Sequence, residues 1–132
     1  MEKLAAMTRA EEIAAFLAAS KAMWRWTLAI MQPDVVTPAA LEEAREELQR
    51  RHPEKTGPQR VRLERLEEGP AVQVLHVGPY AAEGPTIEKL LAFARENGCA
   101  FAGKHHEIYL SDPRRTAPEK LKTILRHAVR KA

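Results

Sequence analysis

The residues best suited to chemistry lie in one stretch, Lys104-His105-His106-Glu107-Ile108-Tyr109-Leu110-Ser111-Asp112-Pro113. Read as a strand, it puts His105, Glu107 and Tyr109 on one face and His106, Ile108 and Leu110 on the other. Neighbours on one face stand about 7 Å apart. A carboxylate is thus set between an imidazole and a phenol. Such a face can cradle a ligand, and it can move protons if water is kept away. The same alternation also describes a strand with one polar face in solvent. The second set has the character to pack on helices. Two histidines beside a glutamate invite a metal reading. On a strand, however, adjacent histidines point to opposite faces, whereas zinc sites use helical i, i+4 pairs or separated ligand pairs. Neither a metal nor a cofactor is expected.

A second stretch, Gln73-Val74-Leu75-His76-Val77-Gly78-Pro79-Tyr80, ends in a sharp strand-to-helix transition at Gly78-Pro79. Tyr80 sits at the mouth of that turn. It is placed either to hydrogen-bond a ligand or to serve as a core aromatic. His76, on the strand that leads there, is a further ligand-binding candidate. Trp24 and Trp26 share one strand face. They are either core or a stacking platform for a flat aromatic or cationic ligand.

The elements that must position these groups follow from periodicity and breakers. Residues 9–20 carry Ile13, Phe16 and Leu17 at helical spacing, with Thr8 and Glu11 forming a capping box. Residues 22–31 alternate as a strand through Trp24, Trp26, Leu28 and Ile30. Thr37-Pro38 opens a helix whose inner face is Leu41, Ala44 and Leu48. Residues 59–66 alternate again. With a turn at Glu67-Glu68-Gly69-Pro70, they predict a hairpin with residues 71–77. Gly84-Pro85 starts a helix with Ile87, Leu90, Leu91 and Ala94 as its stripe, and Asn97-Gly98 ends it. Residues 100–110 form a long strand, Thr116–Glu119 a short helical turn, and 123–129 a closing strand. The order α-β-α-β-β-α-β-β predicts an α+β fold, an antiparallel sheet with helices packed on one face.

At 132 residues the chain has the length of one domain, and its composition is that of a globule. No apolar run approaches the roughly 20 residues of a membrane helix. The first residues carry no secretory signature, which predicts a cytoplasmic protein without membrane attachment. Cys99 is the one cysteine, so no intramolecular disulfide can form. The net charge of +3 is spread among interleaved acids and bases, and no nucleic-acid motif is present. Nucleic acid is therefore not an expected partner.

Glu68-Gly69-Pro70 through Tyr80, followed by Glu83 and Thr86-Ile87, then His105-His106-Glu107-Ile108-Tyr109-Leu110-Ser111-Asp112-Pro113-Arg114 and Pro118–Thr123, resembles the C-terminal half of GyrI-like proteins. More narrowly, it resembles the branch that includes cyclopropanoid cyclopropyl hydrolases. Trp24-x-Trp26 and Gln32-Pro33-Asp34 extend the match over residues 22–129. The resemblance implies strand-helix-strand-strand modules around a cleft for flat, hydrophobic or cationic compounds. It makes Glu107 the ligand-contacting acid, and a general base if the protein is a hydrolase. Tyr80 or Tyr109 would then donate to the substrate oxygen. Trp24 and Trp26 would hold the planar ligand, with His76 and His105 as further contacts. Longer members of the branch carry an additional unit before the Trp segment. Here residues 1–21 stand in its place as one helix before a family-like core at 22–132, and a homodimer is expected to complete the cleft. A non-catalytic drug binder and a protein-interaction module are the alternatives.

Overall fold

The computed structural model describes residues 25–132, which divide into two compact units between Leu66 and Glu67. The expected helix over 9–20 and Trp24 lie outside the described residues.

In the first unit, helix α1 spans Pro38–Arg51. It starts as the sequence dictates. Pro38 occupies the first turn, and Thr37 Oγ1 accepts the Ala40 N–H at 3.2 Å, covering a donor that has no helical partner. Arg45 donates from Nε to the Pro58 carbonyl at 3.1 Å and from its guanidinium to Val61, tying the helix to a 3-10 turn at Gly57–Arg60. Two expectations fail in this unit. Residues 25–31 and 61–66 form no strand, and Leu28, Ile30 and Leu66 are largely exposed. Alternation supplies a two-faced segment, but a strand also needs a neighbour for its backbone groups, and neither segment has a ladder partner among the described residues.

The second unit contains the sheet. Strand β1 is Ala71–Val77, helix α2 Gly84–Glu96, strand β2 Cys99–Tyr109 and strand β3 Lys122–Lys131. The strand order is β1-β3-β2, and both pairings are antiparallel. The hairpin expected between 59–66 and 71–77 is thus corrected: β1 pairs with β3 instead, Ala71 opposite Ala128 and Val77 opposite Lys122. Glu68 contributes to this. Its Oε2 lies 2.9 Å from Arg126 Nε and its Oε1 2.6 Å from His106 Nδ1, so the turn before β1 is held against the other two strands. Arg126 also donates to Gln73 Oε1 at 3.1 Å, completing a polar row across all three strands on the outward face.

Helix α2 covers the inward face. Its Ile87, Leu90, Leu91 and Ala94 are buried, as the stripe predicts, together with Leu125 and Val129 of β3. The register sets which side chains share that face. His76, Thr123 and Tyr109 lie in one row; Val74, Leu125 and Glu107 in the next; Val72, His127 and His105 in the third. The expectation that Ile108 and Leu110 pack on helices is therefore overturned. They are 40% and 55% exposed on the outward side, and the polar set His105-Glu107-Tyr109 is the one on the helix side. Between Phe101 and His105 the register shifts, and Gly103 with φ +67° makes the bulge. The shift keeps Phe101 and His105 on the same face, so Phe101 stacks on His127 with centroids 4.1 Å apart.

Gly78 controls where α2 can begin. Its φ is +136°, outside the range of ordinary side chains, and a Cβ there would meet the His76 ring at 3.5 Å. Gly78→Ala is expected to cost about 1–3 kcal/mol in a urea unfolding titration.

Candidate functional site

The site is built on the inward face of β2, at the end where α2 begins. Glu107 stands opposite fully buried Leu125, and its side chain is 10% exposed. A carboxylate taken out of water has to be met by donors. Tyr109, two residues on along the same face, donates its hydroxyl to Glu107 Oε2 at 2.6 Å. On the other side, His105 Nε2 lies 3.5 Å from Glu107 Oε1. The strand spacing seen in the sequence thus sets the carboxylate between a phenol that donates to it and an imidazole close by.

Tyr80 joins these groups from another element. It opens the 3-10 turn Tyr80–Ala82 after Gly78-Pro79, and its ring meets that of Tyr109 edge-on, with centroids 5.5 Å apart. Tyr109 itself is 51% exposed, so a ligand can reach the aromatic pair while Glu107 lies beneath it. Burial of its oxygen pushes the Tyr109 phenol well above its usual range. The hydrogen bond to Glu107 and the negative charges of Glu107 and Glu83 add to that shift. Tyr109 therefore stays a neutral donor whose one proton is committed to Glu107.

Glu83 is a buried acid next to the Tyr80–Ala82 turn that residue spacing in the sequence does not mark. It directly precedes Gly84-Pro85, at the N-cap of α2, where Ser, Thr, Asp or Asn is usual. Its side chain does not cap the helix, and the residue is only 6% exposed. The sequence displays a glutamate where a shorter capping side chain is usual; that it is buried is visible only in the fold.

His76 is placed differently from the other candidates. Its Nδ1 lies 2.9 Å from Thr86 Oγ1 and its Nε2 3.2 Å from the Pro79 carbonyl. Both ring nitrogens are engaged inside the fold, joining the end of β1 to the start of α2. Trp26 is half-exposed in the first unit. The structure therefore brings together His105, Glu107, Tyr109 and Tyr80, places buried Glu83 at the end of the Tyr80 turn, and uses His76 as their support. Among the described residues no group of three or more His, Cys, Asp and Glu side chains could hold a metal ion. No described helix is long and apolar enough to cross a membrane.

The fold and site define an α+β module with an acid-centred, aromatic-lined face. The chain belongs to the GyrI-like small-molecule-binding domain family, whose model matches residues 31–128. A hydrolase from Listeria innocua of known crystal structure is 44% identical, with a TM-score of 0.69 over 75% of this chain and 52% of that one. An uncharacterized conserved protein from the same organism is 46% identical, with a TM-score of 0.71 over 75% of this chain and 50% of that one. The chain thus spans about half the length of these structures. No curated protein matches.

His127, next to His105, gives the site a pH signature. Burial lowers its pKa, and the neighbouring His105 lowers it further, while a hydrogen bond to the Ala128 carbonyl at 3.1 Å opposes them. Below the unfolded value of about 6.5, the unfolded chain takes up a proton that the folded ring resists. Stability is expected to fall as pH drops through that value and to level off below the depressed folded pKa. Urea midpoints measured against pH should show this decline, and His127→Phe, which keeps a ring against Phe101 but cannot titrate, should reduce it.

Proposed function

We propose that this GyrI-like domain binds a flat hydrophobic or aromatic molecule against Tyr80 and Tyr109, and hydrolyses electrophilic cyclopropanes fused to a dienone with Glu107 as general base. The observation that carries this is the Glu107 carboxylate: nearly buried, held by the Tyr109 hydroxyl at 2.6 Å, and adjacent to a half-exposed aromatic pair. The hydrolase among the similar structures supports the catalytic half. In the proposed reaction Glu107 takes a proton from water. The water oxygen bonds to a cyclopropane carbon, the ring C–C bond breaks, and its electron pair passes through the dienone to the carbonyl oxygen. That oxygen becomes a phenolate, and we assign Tyr80 as its donor, because Tyr109 already gives its proton to Glu107. A fixed donor at the atom where charge develops lowers the barrier.

The same anchoring of Glu107 favours a second reading. A carboxylate pinned by a phenol serves equally as a counter-charge for a bound cation, with no turnover. The ultraviolet spectrum of a cyclopropyl-dienone compound mixed with the protein separates the two. Multiple turnovers are expected, falling by about 10²–10⁴-fold in Glu107→Gln. Tyr80→Phe is expected to lose on the order of 10²-fold in kcat, with Tyr109→Phe instead altering the pH profile through Glu107. Binding without turnover would leave a drug-binding domain.

We also propose that the protein works as a homodimer. Leu75, Val77, Ile108 and Leu110 form an exposed aliphatic patch on the outward sheet face, a surface that favours association. Light scattering over a dilution series is expected to show a dimer; a monomer at every concentration rules it out.

A further inference from the structure

Thr123 lies near the start of β3 on the inward face. It is fully buried, and its hydroxyl has no hydrogen-bond partner among the described residues. Its surroundings explain why. Two residues either way along the chain stand buried Leu121 and Leu125, which offer no polar side-chain atom. Across the sheet it stands between His76 of β1 and Tyr109 of β2. His76 engages both ring nitrogens with Thr86 and the Pro79 carbonyl, and Tyr109 gives its one proton to Glu107. A valine has nearly the same shape and fills such a position without the cost of desolvating a hydroxyl. A buried polar atom left over by its protein neighbours is ordinarily satisfied by a buried water.

We infer that Thr123 is a positioning residue of this site: its hydroxyl holds a water molecule against the Glu107 carboxylate. Thr123 is directly opposite Tyr109, and Glu107 is its diagonal neighbour on the same face. The carboxylate is bonded on the Tyr109 side, through Oε2. Diagonal neighbours of an antiparallel pair stand roughly 7–8 Å apart, and both side chains reach into that space. One water, with hydrogen bonds of about 2.8 Å on each side, bridges what is left. It accepts from the threonine hydroxyl and donates to the carboxylate. The inference rests on the reading above for what the water does: this is the water whose proton Glu107 takes, in place before the substrate arrives. Thr123 works through that water and is not assigned a contact with the substrate.

A crystal structure of the ligand-free protein, at a resolution that shows ordered water, tests the arrangement. A water within about 3.2 Å of both Thr123 Oγ1 and a Glu107 oxygen is expected, and it should be lost in Thr123→Val. No water touching both groups, or one that stays in Thr123→Val, overturns the inference. Should Thr123→Val not fold, the parent's density alone decides. Kinetics with the cyclopropyl-dienone compound test the role. Thr123→Val is expected to lower kcat about 10-fold with KM unchanged, and Thr123→Ser, which keeps the hydroxyl, to recover most of the loss. A kcat in Thr123→Val equal to the parent's overturns the inference, as does a loss that Thr123→Ser does not recover. Absence of turnover by the parent protein sinks the hydrolase reading instead, and the bound water is then still decided by the crystal structure.

Discussion

A carboxylate removed from water beside an aliphatic side chain is held there only if donors replace the solvent, and much of the second unit is arranged to supply them. Glu107 faces Leu125 across the β2–β3 ladder. Tyr109 can reach it because a strand returns every second side chain to the same face. Tyr80 can reach Tyr109 because the chain leaves β1 at Gly78 with a backbone angle that turns it at once towards α2. His76 then fixes that turn through Thr86 and the Pro79 carbonyl. The aromatic pair is thus held from two directions, by the sheet and by the helix start.

The opposite face of the same sheet uses charge to a different end. Glu68, His106, Arg126 and Gln73 lie side by side across three strands. Each strand contributes to this row, and the turn before β1 contributes the acid. It holds the pairing of β1 with β3 in the register that places His76 in the same row as Tyr109. The two polar groups of the sheet are therefore complementary. One fixes the strands, and the other is presented by them.

Much of this was legible from residue types. Thr37-Pro38 marked the start of α1, and Gly84-Pro85 the start of α2, because caps and prolines act through local backbone groups. The stripe Ile87, Leu90, Leu91 and Ala94 marked the buried side of α2. The grouping of His105, Glu107 and Tyr109 followed from strand alternation alone. The alternation of residues 59–66 on the far side of a turn predicts a hairpin with β1, yet β3, more than 40 residues further along the chain, takes that place. Hydrophobic Ile108 and Leu110 point to the opposite face of β2 as the covered one, yet the helix covers the side of Glu107. Nothing in the sequence marks Glu83, because no local pattern distinguishes a buried glutamate from a solvated one.

The sequence by itself determined where α1, α2 and the three strands of the sheet lie, and which of their side chains share a face. These are short-range matters of backbone geometry, capping and period. Only the tertiary structure decided which edge β1 joins, which face of β2 is covered, and that Tyr80 arrives beside Tyr109. Those outcomes depend on which distant surfaces bury the most apolar area while satisfying every backbone donor, and that is settled by the packed chain as a whole.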